Sequence, residues 1–212
     1  MLLDWVAAGK RWVKFRVFSK PVSLLILIYI FISFGGWQNP GIWFLGGLIF
    51  SLLGDIFLLM RSRFFIAGLV SFLVAHIFYI IGLGLGALNW SVWMLVPIAI
   101  ISLLIILAYP RIIGGIRRSL EHRHLWLPVL LYMVTITLML LLAMLTWFRE
   151  SWVYPSALLA SVGALLFTIS DTVLATGRFL RPVPYGNFLV MFTYHLGQLG
   201  IAFGALSMMG LI

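Results

Sequence analysis

Long apolar runs separated by short polar connections make up most of the sequence. Seven of these runs approach or exceed the roughly 20 apolar residues that a helix needs to cross a bilayer. They cover residues 18–37, 41–60, 64–87, 90–109, 125–148, 153–176 and 186–211. The pattern predicts an all-α fold, a polytopic membrane helix bundle with seven transmembrane helices. We expect residues 18–212 to form this single transmembrane domain and residues 1–17 to form a basic segment ahead of it.

The basic residues lie almost entirely on one side of the predicted membrane. When the connections are assigned alternately to the two sides, 13 of the 14 Lys and Arg residues fall on one side and Arg149 alone falls on the other. Because cytoplasmic loops of membrane proteins are enriched in Lys and Arg, this predicts a cytoplasmic N-terminus and an external C-terminus. The compact chain favours the inner membrane of a bacterium.

The basic N-terminal segment has a helical pattern of its own. Trp5, Ala8 and Trp12 share one helical face, and three basic residues lie opposite them. This arrangement predicts a short interfacial helix on the anionic cytoplasmic leaflet. A basic flank that only sets the topology is an equally good interpretation.

The composition excludes several classes of protein. Hydrophobic residues make up 64% of the chain and charged residues 9%, whereas a soluble domain carries about 25% charged residues. Soluble enzymes and nucleic-acid partners are therefore not expected, and the net charge of +9 belongs to the membrane flanks. The chain has no cysteine, which excludes disulfides, cysteine-ligated zinc and thiol catalysis. No nucleotide-binding or metalloprotease motif is present, and we expect no cofactor.

A weak internal repeat pairs the same rare residues twice. Asp55 lies near the end of the second run and His76 follows in the third, while Asp171 lies near the end of the sixth and His195 follows in the seventh. Helices that are four apart in chain order cross the membrane in the same direction. The spacing therefore predicts a parallel duplication of three helices, one linking helix and three helices.

Polar residues inside the apolar runs are the candidate functional residues. An ionised aspartate at mid-helix costs roughly 2.5–3.5 kcal/mol on insertion scales, and both Asp55 and Asp171 lie on the order of 10 Å inside the cytoplasmic end. Lys20 would begin the first helix beside Pro21. All these side chains could line one cavity that opens toward the cytoplasm. The candidate catalytic residues are Asp55 and Asp171, and the candidate substrate-binding residues are Lys20, His76, Tyr79, Tyr132, Tyr194, His195 and Gln198.

Taken in order, these motifs resemble the YhhN family of membrane proteins. The matching elements are Lys20-Pro21, Leu53-Gly54-Asp55, His76-x-x-Tyr79, Tyr132, Gly163 through Ser170-Asp171, and Thr193-Tyr194-His195-x-x-Gln198. The resemblance implies a lysophospholipid substrate drawn from the membrane. It also implies hydrolysis of the vinyl-ether bond of lysoplasmalogens to a fatty aldehyde and glycerophosphocholine or glycerophosphoethanolamine.

The residue types suit that reaction. A vinyl ether is cleaved by protonating its β-carbon, which leaves an oxocarbenium ion that water captures. Glycosidases meet a similar demand with two carboxyls in different environments. We expect one aspartate to act as general acid and the other to stabilise the cation or orient water, and the sequence does not say which. Lys20 would pair with the substrate phosphate or serve only in topology.

Two other classes of function fit the same residues. A small-molecule or lipid transporter agrees with the parallel repeat and the titratable groups near the midplane. Alternatively, Asp55, Asp171, His76 and His195 could ligate zinc in a metal-dependent lipid hydrolase.

Overall fold

Seven long helices run through the described part of the chain. The computed structural model describes residues 1, 4, 5, 8, 13–60 and 62–212. The helices are α1 (Val13–Ser33), α2 (Gly41–Leu59), α3 (Phe65–Gly84), α4 (Leu95–Arg118), α5 (Trp126–Leu145), α6 (Ser156–Phe179) and α7 (Gly186–Met208). The predicted all-α bundle is confirmed.

Six of these helices, α2 to α7, are long and apolar enough to cross a membrane. The apolar part of α1 is the shorter stretch Phe18–Ser33. Two of the crossings are lengthened by 3₁₀ turns, so that they extend over Val92–Arg118 and Arg123–Phe148. The protein is therefore an integral, multi-pass membrane protein.

Two helices extend beyond the predicted apolar runs, and each contains a proline. Helix α1 begins at Val13 and not at residue 18, so Lys20 lies about two turns inside it. Helix α4 continues through Pro110 to Arg118, which turns part of the predicted basic loop into helix. Proline removes one backbone donor. In lipid, however, an unpaired backbone N–H or C=O group has no water to hydrogen-bond with. This favours keeping the remaining backbone hydrogen bonds of the helix.

The N-terminal segment is described at only a few positions. Asp4 and Ala8 have helical backbone and are buried against the bundle. Lys10, Arg11 and Trp12, which belong to the predicted interfacial helix, lie outside the described residues, so that helix stays a prediction.

The closest helix pairs follow the predicted repeat. Helices α6 and α7 pack most extensively, and α2 and α3 come second. At the α6–α7 crossing, a Cβ on Gly163 would lie 2.6 Å from the Ile201 nitrogen, and one on Gly200 would lie 2.7 Å from the Gly163 Cα. Small residues allow such close backbone approach in membrane bundles. Each of the two tight pairs carries one of the intramembrane aspartates.

Helix α4 lies at the edge of the bundle. The main core cluster is built mostly by the other six helices, while the C-terminal half of α4 contributes Ile112 and Ile116 to a smaller cluster with α5. Its outer face is strongly exposed, and Ile106 is 66% accessible. Helix α4 therefore forms an outer wall between the bundle interior and the lipid.

The α6–α7 contact makes a prediction about stability. We expect Gly163→Ala to destabilise the protein by about 1–3 kcal/mol, because the added methyl group meets backbone atoms that cannot move aside. Thermal unfolding of purified protein in detergent measures the effect. Gly114→Ala is the control, because a Cβ there has nothing within 4 Å. Equal unfolding temperatures for the two variants would contradict the close approach.

Candidate active site

Asp55 is neutralised and held from two sides. It is fully buried on α2, and Lys20 Nζ of α1 lies 2.8 Å from its Oδ1. The Tyr194 hydroxyl of α7 donates a hydrogen bond of 2.9 Å to its Oδ2. Lys20 Nζ also lies 5.6 Å from the centroid of the Tyr194 ring. Both carboxylate oxygens are therefore engaged, as a buried ionised carboxylate requires.

A second polar contact lies near this ion pair. The Tyr79 hydroxyl of α3 donates a hydrogen bond of 2.6 Å to Gln198 Oε1 of α7. Gln198 lies four residues after Tyr194, so both side chains leave α7 on the same face. The structure thus brings Lys20, Asp55, Tyr194, Gln198 and Tyr79 to one region, which joins α1, α2, α3 and α7.

Asp171 has different partners. The Tyr132 hydroxyl of α5 donates a hydrogen bond to Asp171 Oδ2. The His76 ring lies 5.2 Å from the Tyr132 ring and 4.9 Å from the Phe167 ring, measured between centroids. His76 is fully buried, and its ring interacts with the backbone of Phe72, one turn earlier on α3.

An apolar cavity opens beside Asp171. It has a volume of about 70 Å³ and lies between α3, α4, α5 and α6. Asp171 and Tyr132 are on its wall, and the Tyr109 hydroxyl forms a 2.8 Å hydrogen bond with Thr137 on the same wall. Most other lining residues are apolar. The cavity is large enough for a small number of water molecules or for part of an apolar chain.

The two aspartates do not share this cavity. Phe72 lines the cavity, and its ring contacts the rings of Tyr194 and Phe167 edge-on at 6.0 and 6.2 Å. Asp55 is absent from the cavity wall. Asp55 and Lys20 nevertheless interact electrostatically with Asp171, so a single site served by both carboxyls stays a prediction. Lys20 is buried as well, with 6% of its surface accessible, because α1 begins five residues earlier than the predicted apolar run and Lys20 lies inside it.

His195 lies in a third environment. The Trp5 Nε1 donates a hydrogen bond of 2.9 Å to His195 Nδ1, and Asp4 Oδ2 lies 4.0 Å from His195 Nε2. The Ser19 hydroxyl donates a 2.5 Å hydrogen bond to Asp4 Oδ1. The N-terminal segment thus contacts α7 at the residue that follows Tyr194.

Several of these partners were not predicted as site residues. Asp4 lies in the segment predicted as a basic flank, yet it is fully buried, as Asp55 is. Phe72 and Phe167 carry no polar group, so nothing in the sequence distinguishes them from other apolar residues. Trp5 lies 190 residues from His195, and no local pattern reports a contact over that distance.

The described residues do not group as zinc ligands. Among them, no three His, Asp or Glu side chains are close enough to hold one metal ion. The four ligands considered for zinc instead belong to three surroundings, those of Asp55, of Asp171 with His76, and of His195.

Together, these features define a multi-pass membrane helix bundle with two aspartate–tyrosine pairs, one of them fully buried and the other facing an apolar cavity. The chain belongs to the YhhN family, whose model matches residues 15–205. The predicted resemblance is confirmed over most of the chain.

Named relatives come from mammals. The chain is 34% identical over 164 residues to human Lysoplasmalogenase TMEM86A and 32% identical over 162 residues to the Bos taurus protein. Each alignment covers 76% of this chain, which spans 64% of the length of each of these two relatives. Mus musculus Lysoplasmalogenase TMEM86B is 29% identical over 99% of this chain and 83% of its own length. No solved structure matches the chain.

The buried ion pair makes a prediction about folding. We expect Lys20→Met to destabilise the protein by about 3–5 kcal/mol, because it leaves the buried Asp55 without its cation. The double variant Lys20→Met with Asp55→Asn should recover much of that loss. Thermal unfolding in detergent measures all three proteins. If the double variant is no more stable than the single one, the two groups do not stabilise each other.

Proposed function

We propose that this protein hydrolyses the vinyl-ether bond of lysoplasmalogens, releasing a fatty aldehyde and a glycerophospho-base. Membership of the YhhN family and the names of the mammalian relatives support the reaction class. The observation that carries the proposal is the Asp171–Tyr132 pair on the wall of an otherwise largely apolar cavity. An alkenyl chain fits apolar walls, and the carboxyl beside it supplies the acid that the chemistry needs.

In the proposed reaction, Asp171 enters as the neutral acid. Within the described residues Asp171 forms no ion pair, and a bare charge on an apolar wall is costly. Its proton passes to the β-carbon of the vinyl ether, and the double-bond electrons form the new C–H bond. The α-carbon and the ether oxygen then share the positive charge of an oxocarbenium ion. The Asp171 carboxylate, held by Tyr132, lies beside that cation and stabilises it.

Water completes the cleavage. It adds to the α-carbon of the oxocarbenium ion, and its proton returns to Asp171, which gives a hemiacetal. The hemiacetal hydroxyl then loses its proton and forms the aldehyde carbonyl, while the C–O bond to the glycerol oxygen breaks and that oxygen takes up a proton, which releases the alcohol. His76 is the group we assign to positioning this water, because it is fully buried, contacts Tyr132 and carries ring nitrogens that can hydrogen-bond to water.

Asp55 has a positioning role in this proposal. Its carboxylate is already bound by Lys20 and Tyr194 and does not line the cavity. Tyr194 in turn contacts Phe72 and Phe167, which lie between the ion pair and the catalytic side. The network of Tyr79, Tyr194 and Gln198 therefore supports the wall against which the substrate lies.

The substrate would reach the cavity from the bilayer. Helix α4 forms the outer wall of the cavity and packs on the bundle mainly through its C-terminal half. Entry beside α4 spares the alkenyl chain a passage through water, which its apolar surface would make unfavourable.

The acid assignment predicts a specific loss of activity. We expect Asp171→Asn to lower kcat by at least about 100-fold, because an amide does not donate the proton. We expect Tyr132→Phe to lower kcat by roughly 10-fold through loss of its hydrogen bond. The measurement is aldehyde release from an alkenyl lysophospholipid, followed by mass spectrometry with purified protein.

Matched controls separate chemistry from folding. Glu150→Gln and Tyr29→Phe change the same chemical groups at exposed positions and should retain the activity of the unaltered protein. An acyl lysophospholipid should not be cleaved. Full turnover by Asp171→Asn would overturn the acid assignment, and absence of aldehyde from the unaltered protein would overturn the function.

We also propose that the N-terminus is cytoplasmic, as the positions of the basic residues indicate, and that the membrane is the inner membrane of a bacterium. The natural chain has no cysteine, so a single introduced cysteine reports its own side. In spheroplasts, a membrane-impermeant maleimide should label Glu150→Cys directly. It should label Arg181→Cys only after the membrane is permeabilised. The reverse pattern would contradict the orientation.

A further inference from the structure

Arg178 lies where the apolar cavity meets a second, more polar groove. It lines the cavity together with Asp171, and it also lines a groove of about 670 Å³ between the end of α6 and the start of α7. Among the described residues that line the cavity, Arg178 is the one basic side chain and Asp171 the one acidic side chain. The cavity and the groove therefore meet at Leu174 and Arg178, which line both.

The helix places this guanidinium at a fixed separation from the proposed acid. Asp171 and Arg178 are seven residues apart on α6, which is about two turns. Both therefore lie on nearly the same face, with roughly 10.5 Å between their Cα atoms. In a lysoplasmalogen, seven covalent bonds separate the β-carbon of the vinyl ether from the phosphorus, a reach of roughly 8 Å. A substrate whose β-carbon is at Asp171 thus brings its phosphate to Arg178.

The Arg178 side chain is held in place but remains accessible. Its guanidinium lies over the Phe65 ring, 4.3 Å from the centroid, while the residue as a whole is exposed. A guanidinium stacked on an aromatic ring keeps its edge free for hydrogen bonds, and two parallel N–H groups match two phosphate oxygens. Lys20, the residue expected from the sequence to bind phosphate, is instead paired with Asp55.

We propose that Arg178 binds the substrate phosphate, with the alkenyl chain in the cavity and the head group in the groove between α6 and α7. This inference rests on the proposed function and deepens it. It makes Arg178 a specificity residue that selects a phosphate-bearing ether lipid over a neutral one. It also explains how one rigid helix aligns the vinyl ether with Asp171.

Equilibrium binding tests this inference independently of catalysis. The probes are a saturated 1-alkyl lysophosphatidylcholine, which has no vinyl ether to cleave, and the matching 1-alkylglycerol, which has no phosphate. We expect Arg178→Gln to weaken binding of the lysophospholipid by roughly 10- to 100-fold, with Arg178→Lys intermediate. Binding of the alkylglycerol should stay the same in every variant. Arg181→Gln is the control, because Arg181 lines neither the cavity nor the groove.

Kinetics supply a second readout. With an alkenyl lysophospholipid, Arg178→Gln should raise KM by a similar factor while changing kcat little. With an alkenylglycerol, both constants should be unchanged. Retained alkylglycerol binding also shows that the variant is folded.

These measurements distinguish failure of the inference about Arg178 from failure of the proposed function. Unchanged lysophospholipid binding by Arg178→Gln would overturn the inference about Arg178, whatever the protein hydrolyses. Binding of inorganic phosphate as tightly as the lysophospholipid would also overturn it, because the site would then be a free-anion site. If the unaltered protein binds the saturated lipid through Arg178 yet releases no aldehyde from the alkenyl one, the proposed function fails and the phosphate site stands.

Discussion

The buried ion pair between Lys20 and Asp55 ties α1 to α2, and Tyr194 ties the same carboxylate to α7. An ionised carboxylate away from water is tolerated only when a cation and hydrogen-bond donors surround it. This requirement fixes three helices relative to one another at the centre of the bundle. It also engages both oxygens of Asp55. The remaining intramembrane aspartate, Asp171, is held by Tyr132 and faces the cavity.

The two aspartates lie at related positions of the predicted repeat, but their neighbours differ. Asp55 has a lysine beside it, whereas Asp171 has a tyrosine hydroxyl and an apolar cavity. Two like carboxyls in unlike surroundings are suited to different tasks, as in other enzymes that use a carboxyl pair. We therefore propose one catalytic acid supported by a positioning network, and not a symmetrical pair. Phe72 contacts Tyr194 and also lines the cavity, so it lies between the hydrogen-bond network of Asp55 and the cavity that Asp171 faces.

The membrane also shapes the proposed route of the substrate. Helix α4 is the outer wall of the cavity, and much of its surface is exposed apolar side chain. Along α6, the cavity runs from Asp171 to Arg178, where the polar groove begins. An amphipathic ligand has the same arrangement, with an apolar chain that suits the cavity and an anionic head group that suits Arg178 and the groove. The site thus matches a single-chain lipid lying along α6, with its head toward the end of the helix that carries Arg178.

Hydrophobic periodicity and length were enough to predict seven helices, their approximate positions and the membrane environment, because crossing a bilayer requires long apolar runs. The rarity of charge inside those runs singled out Asp55 and Asp171, and the motif order predicted the family. What the sequence did not determine was which side chains meet. The pairing of Lys20 with Asp55, of Tyr132 with Asp171 and of Trp5 with His195 joins residues 35, 39 and 190 positions apart. Contacts over such separations depend on how the helices pack and rotate, and tertiary packing alone decides that.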